Sequence, residues 1–283
     1  MAAYAVTPTT EAAREDTEMA EVASKWALQN GLFLGKVLEN RELQAGGGER
    51  STHHIEIQLP AKMGYTAGDH LAVLGGNPPE VVEQAAAALG LGLDDVVRVS
   101  KAAPSLEAAG SCLVPDSVPL AVRTILTWCV ELQHPAPRAQ VAILADRATC
   151  PPEKAALQAA VADYEADVLK NRRTLVELLA AHRSARLSLG EILTVLPSLK
   201  PRYYSISSSP RVAADRVSVT VGVVQGATPT GRMHVGVCSN FLARRGAGQP
   251  VRCFVKDTKS GFRLPADGSR PVILSAWGGL AGC

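Results

Sequence analysis

Arg202, Tyr204 and Ser205 lie in the stretch PRYYSISSSP (201–210), which packs a guanidinium, two phenols and four hydroxyls around one isoleucine. A guanidinium presents a planar fork of donors to paired oxygens, a phenol ring stacks flat on another aromatic ring, and a serine hydroxyl bonds the polar edge of such a ring. A flat heteroaromatic joined to phosphates would use all three. In an extended segment residues two apart share a face, so Arg202 and Tyr204 point together while Tyr203 turns the other way into packing. A polar loop whose tyrosines cap the end of a β-barrel accounts for the same residues, and the decapeptide leaves both readings open. A second stretch, GVCSNFLARRG (236–246), begins with glycine and small residues and ends in Arg244, Arg245 and Gly246, as a helix C-terminus prefers. Gly236, Val237, Cys238 and Ser239 then stand at a helix N-terminus, where backbone N–H groups, the dipole and the Ser239 hydroxyl would meet a phosphate. Ordinary capping by Ser239 is the plainer reading.

The elements that must position these residues come in three textures. From about 31 to 75, alternating segments such as HIEIQL, with Ile55, Ile57 and Leu59 on one face, are broken by AGGGER and YTAGDH and read as strands joined by turns. Asp69 and His70 fall in the last of these turns, open to either a structural or a chemical role. From about 78 to 197 the pattern is helical. Leu157, Val161, Tyr164 and Val168 recur at helical spacing after CPPEK, whose prolines suit a first turn; Thr174 with Glu177 and Ser188 with Glu191 have capping-box spacing; Asp116 is placed to cap VPLAVRTILTWCVEL. Alternation returns in VSVTVGVV, where Val217, Val219, Val221 and Val223 share a face, and in VRCFV and PVILSA. Strands, helices, then strands predict an antiparallel β-barrel interrupted by an all-α subdomain, α+β overall, because short strands need partners from both ends of the chain to close a core.

Composition narrows the function classes. At 283 residues and 47% hydrophobic content the chain can bury one large or two ordinary cores. Its 29 basic and 27 acidic residues leave +2, without a block of five like charges, so neither nucleic acid nor an anionic membrane surface is an expected partner. The charged AREDTEMAEVASKW segment is unlike a signal peptide and no apolar run approaches a membrane span, which predicts a cytoplasmic protein. Cys112, Cys129, Cys150, Cys238, Cys253 and Cys283 form no CxxC pair and read as reduced thiols; the six histidines show no ligand spacing, so no metal is expected.

RYYSISSSP, a valine-alternating strand and GVCSNFL, in this order, resemble the flavin-binding part of the ferredoxin–NADP reductase superfamily. YTAGDHLAVLGGN (65–77), the helical insertion and SGFRLP (260–265) are similar to its diflavin reductase branch. RELQAGGGERSTHHIEIQLP, RATCPPEK and LPSLKPRYYSISSSPRV resemble most the reductase halves of self-sufficient fatty-acid hydroxylases, in which a haem-thiolate monooxygenase is fused to its own NADPH reductase. The resemblance covers nearly all of residues 31–275. It implies a linker remnant with one short helix over 1–30, FAD-binding β-barrel segments at 31–77 and 198–268, a helical connecting subdomain at 78–197, and an aborted start of an NADP-binding domain at 269–283.

The same resemblance implies that Arg202 holds the FAD pyrophosphate, Tyr204 stacks on the isoalloxazine, and Ser205 hydrogen-bonds near the reactive nitrogen and tunes it. Thr220, Val221 and Gly222 would follow the flavin along their strand, Gly236, Val237, Cys238 and Ser239 would meet its phosphate, and Arg50 would help bind NADP. In the family NADPH gives hydride to FAD, and electrons pass singly to FMN and on to haem. FMN would sit on a flavodoxin-like domain that, like the haem-thiolate monooxygenase, is not recognised in this chain. Where the family's nicotinamide domain opens with a glycine-threonine-glycine turn, SAWGGLAGC places Trp277 at the first glycine and Gly278 at the threonine. An indole there obstructs backbone approach to a pyrophosphate. A non-catalytic, truncated flavin-binding remnant, and a module of a sulfite reductase or nitric-oxide synthase type diflavin enzyme, stand beside the main expectation.

Overall fold

The computed structural model describes residues 4–12, 32–44, 50–60, 63–101, 114–258, 265 and 267–273. The expectations for Cys112, Cys283, SAWGGLAGC, the short helix within 1–30 and all of SGFRLP but Pro265 lie outside the described residues. In chain order the strands are β1 (Tyr4–Pro8), β2 (Phe33–Glu42), β3 (Thr52–Gln58), β4 (His70–Leu74), β5 (Val96–Lys101), β6 (Pro119–Ala121), β7 (Arg202–Ser205), β8 (Arg216–Gly222), β9 (Gln225–Ala227), β10 (Met233–Val235) and β11 (Pro250–Lys256). The helices are α1 (Pro79–Leu89), α2 (Val122–Trp128), α3 (Arg138–Arg147), α4 (Pro151–Ala162), a π-turn at Glu165–Leu169, α5 (Leu175–Ala181), α6 (Leu189–Val195) and α7 (Val237–Ala243). Among the described residues no helix is long and apolar enough to cross a membrane. The α+β architecture is the one expected from the sequence, and the chain divides into two units.

The first unit comprises the described parts of 24–75, 200–224 and 236–283. Its six strands run in the order β7-β4-β11-β2-β3-β8, all neighbours antiparallel. Just beyond β7, Ile206 bridges Val219 and the Ser207 N–H donates to Ser218 O at 2.8 Å, so the two edge strands of this order are drawn together. Alternation decides which side chains are inside. Ile55 and Ile57 of β3 and Val217, Val219 and Val221 of β8 are fully buried, with Val37, Leu71, Val73, Val251 and Cys253. Each such aliphatic side chain contributes roughly 1.5–3 kcal/mol on burial, which outweighs any single surface ion pair.

The second unit comprises the described parts of 1–23, 76–199 and 225–235. Helices pack around Ile125, Leu126, Leu144, Leu157, Leu178 and Leu193, all inaccessible to solvent. Both expected capping boxes form: Thr174 and Ser188 accept from the N–H groups of Glu177 and Glu191, whose carboxylates accept in return. Three expectations are corrected. The block is not all-α, because β5 pairs with β1 and β6 in an antiparallel sheet; the alternation of Val97 and Val99 within VVRVSK is a strand signal. Residues 4–8, expected within a linker, form β1 and bury Tyr4 to 5% exposure. Asp116 does not cap α2, since 119–121 run extended beside β5 and put Ala121 at the cap; the Asp116 carboxylate instead accepts from Lys101 N–H at 3.3 Å. Residues 225–235 also join this unit, where the Gln133 side chain donates to Val235 O and accepts from its N–H.

Candidate functional site

β7 is held by β4, with Arg202 opposite Val73, Tyr203 opposite Ala72, Tyr204 opposite Leu71 and Ser205 opposite His70. The strand's two-residue period therefore puts Arg202 and Tyr204 on one face, as the sequence implies. Tyr203 meets Phe254 edge-on, ring centroids 6.3 Å apart, yet stays 54% exposed: this part of the outer face offers it one aromatic neighbour rather than a core. Arg202 is exposed and its Nη1 donates to Lys200 O at 3.1 Å. Tyr204 is half-buried and packs against the β-core that includes Cys238. Burial, reinforced by Cys238 and opposed by Arg202, pushes the phenol far above its ordinary pKa, so it remains a neutral donor. Ser205 is exposed at the strand end, and Asp69 turns out structural: its carboxylate accepts Thr66 N–H at 2.8 Å and closes the turn before β4.

α7 stands where the glycine-rich stretch places it. The first bond within it runs from Asn240 N–H to Gly236 O at 3.1 Å, which leaves the N–H groups of Val237, Cys238 and Ser239 outside the helical ladder. Ser239 is 6% exposed, and its hydroxyl accepts Val224 N–H at 3.1 Å and donates to Gly236 O at 3.5 Å. That hydroxyl ties the helix to the chain leaving β8 instead of facing outward, which leaves the backbone as the donor set here. Gly236 must lack a side chain, since a Cβ would come within 2.8 Å of Val224 Cβ. In β8, Thr220 is exposed, Val221 points into the core and Gly222 is half-buried; they lie opposite His54, His53 and Thr52.

Two positioning residues escape the sequence reading. Asn40 of β2 donates through Nδ2 to the carbonyls of Leu242, Ala243 and Arg245 at 3.0, 3.1 and 2.7 Å, capping α7 from a strand two hundred residues earlier. Its Oδ1 meets His53 Nδ1 at 2.7 Å. Gly75, just after β4, passes so close to α7 that a Cβ would stand 2.8 Å from Cys238 Cα. Nothing local in the sequence marks either contact. In the other unit, Arg172 adopts φ 53° after the π-turn, its carbonyl accepts from Arg232 Nη2 at 3.3 Å, and Arg232 Nε pairs with Glu177 at 2.9 Å. His234 beside them has a buried Nδ1 lacking a partner among the described residues; burial first, then the two arginines, hold its imidazole neutral.

Arg50 is exposed and directly precedes a clasp that closes the β2–β3 hairpin. The Glu42 carboxylate accepts from the Ser51 hydroxyl and from the N–H groups of Gln44 at 3.0 Å and Thr52 at 2.8 Å, and lies 3.4 Å from His53 Nε2. These donors, Ser51 first, hold it at about 2, below the usual 4.5. A depressed carboxylate stabilises the folded state above its unfolded pKa and loses that contribution as pH falls through the folded one. Wild type is therefore expected to lose melting temperature relative to Glu42→Gln as pH drops from about 4.5 towards 2; parallel pH curves for the two proteins would refute the clasp. Also on this sheet, Glu39, His54 and Glu56 have ligand atoms within 4.8 Å of one another. Arg41 at 2.8 Å and Arg216 at 3.0 Å neutralise the two carboxylates, which makes the group an ion-pair network.

An exposed guanidinium, a half-buried aromatic ring on the same strand face and a helix start with unused N–H groups fit a flat aromatic joined to phosphates in the chemistry of their donors. Comparison with known proteins points the same way. The family described as "FAD binding domain" matches residues 27–241. The bifunctional cytochrome P450/NADPH–P450 reductase 2 of Bacillus subtilis is 41% identical over 248 residues, 86% of this chain and 23% of that protein. A bifunctional cytochrome P450/NADPH–P450 reductase of Aspergillus oryzae is 34% identical over 87% of this chain and 23% of its own length. The NADPH–cytochrome P450 reductase of Dictyostelium discoideum is 33% identical over 88% of this chain and 38% of its own. The chain thus spans only 22–23% of the bacterial fusion proteins it matches.

Proposed function

The chain belongs to the FAD-binding domain family and is homologous to NADPH–cytochrome P450 reductases, and from that premise we propose that it is the flavin-holding module of an NADPH–haemoprotein reductase. The observation that carries this reading is that the start of α7 packs on the end of β4, with Cys238 Sγ donating to Val73 O and Cys238 Cα against Gly75, while Arg202 and Tyr204 of β7 pair with Val73 and Leu71 of the same strand. Arg202 would bind the FAD pyrophosphate through charge-assisted bonds, and Tyr204 would stack on the isoalloxazine. Ser205 would bond the ring edge and tune it, with Thr220, Val221 and Gly222 alongside. Backbone N–H groups of Val237, Cys238 and Ser239 would face the phosphate beside Gly236, whose own N–H donates to Val224 O at 2.7 Å, with Arg50 reaching towards NADP. Bound FAD would supply what side chains lack, acceptance of hydride from NADPH and release of electrons one at a time towards FMN and a haem-thiolate monooxygenase on other domains. Cys150, Cys238 and Cys253 are thiols, in keeping with the cytoplasm.

The test is the absorption spectrum of the purified chain after FAD addition and desalting, then after anaerobic NADPH. Retained flavin peaks are expected. No retained flavin overturns the reading, and flavin that dithionite reduces but NADPH leaves untouched confines this chain to holding the cofactor.

A further inference from the structure

Asn40 has no part in the flavin reading, yet both ends of its amide are engaged. Nδ2 shares its hydrogens among the carbonyls of Leu242, Ala243 and Arg245 at the C-terminal end of α7, and Oδ1 accepts from His53 Nδ1 at 2.7 Å. The amide cannot turn over, because a flipped Oδ1 would face three carbonyls. Behind it, His53 Nε2 lies 3.4 Å from the Glu42 carboxylate, so the hairpin clasp, His53 and Asn40 form one polar chain that ends on α7. The helix is fastened at its start as well. Asn240 Nδ2 donates to Val224 O at 2.8 Å, and Cys238 Sγ donates to Val73 O at 3.5 Å, where Gly75 passes too close to Cys238 Cα to carry a side chain. Val73 stands opposite Arg202 across the β4–β7 pair. α7 is therefore a strut between β2 and the end of β4, and β4 holds the strand of Arg202 and Tyr204.

We propose that Asn40 is a positioning residue for the flavin site: by holding the C-terminal end of α7 on β2, it keeps the start of that helix seated on the end of β4, the backbone against which Arg202 and Tyr204 are paired. The proposal rests on the flavin reading for the identity of the ligand. Apparent affinity falls with the fraction of molecules in which the site is assembled, and loss of one capping side chain shifts such an equilibrium by about two- to thirtyfold.

The experiment compares wild type, Asn40→Ala, Asn40→Asp and the core control Ile57→Val in the full chain, with circular dichroism confirming the fold and urea unfolding ranking stability. Asn40→Ala is expected to weaken FAD binding by about two- to thirtyfold. Asn40→Asp keeps the volume and the acceptor for His53 but turns a carboxylate on the carbonyls of a helix C-terminus, so it should bind FAD no better than Asn40→Ala. Ile57→Val trims a fully buried side chain, should lower the urea midpoint and should keep wild-type affinity, which separates positioning from stability. Without flavin, amide exchange in Asn40→Ala should speed up more in α7 than in β3. A folded Asn40→Ala or Asn40→Asp with wild-type affinity, an Ile57→Val that loses as much affinity as Asn40→Ala, or equal changes of exchange in α7 and β3 overturn the proposal. If Asn40→Ala does not fold, Asn40→Ser carries the same comparisons. A wild-type chain that binds no FAD sinks the functional reading, while the exchange of the α7 amides still decides whether Asn40 seats the helix.

Discussion

Arg202→Ala is expected to weaken FAD binding by about one to two decades, the affinity equivalent of the roughly 1.5–3 kcal/mol carried by a hydrogen bond to a charged group. The guanidinium is exposed on β7, and its Nη1 donates to Lys200 O, which holds the side chain near the strand. Losing it removes charge but little packing, so the flavin-free protein should keep its stability. Arg202→Lys would retain the charge and lose the planar pair of donors, and its affinity should fall between alanine and wild type. Titration of the three proteins with FAD, followed by flavin fluorescence, measures this order. An alanine variant that binds as wild type would remove Arg202 from the site and leave the phosphate to the N–H groups of α7.

Leu71→Ala is expected to destabilise the β-unit by about 2–5 kcal/mol. Leu71 is fully buried in β4, directly opposite Tyr204, and the surrounding Val73, Ile57 and Val219 belong to the same core. Truncation there leaves a cavity that close-packed neighbours on hydrogen-bonded strands can only partly fill. Leu34 of β2 is the control: at 53% exposure its replacement by alanine should change stability by no more than about 0.5 kcal/mol. Urea unfolding of the two variants separates them. Equal midpoints would mean that β4 lies outside the cooperative core and could not hold β7 in place.

Much of this arrangement was legible in the chain because its signals are local. Alternation placed Ile55, Ile57, Val217, Val219 and Val221 inside, and all five are buried. Capping-box spacing found the starts of α5 and α6, where donor and acceptor lie three residues apart. Asp116 misled for the same reason: a good local capping residue yielded to the pairing of β6 with β5, which spacing does not report. β1 was hidden because a lone five-residue strand has little signal until its partner, some ninety residues on, is in register.

The candidate site divides along the same line. By itself the sequence determined the kinds of groups available: an arginine and a tyrosine on one strand face, and a helix start with small residues beside unused N–H groups. Only the tertiary structure decided that the Ser239 hydroxyl turns inward to Val224, that Asn40 caps α7, and that Cys238 packs against Gly75 and donates to Val73 O. The physical reason is range. Periodicity and capping are set by backbone geometry over a few residues, whereas these contacts join segments from 15 to 205 residues apart and exist only once strand register has fixed which backbone passes which.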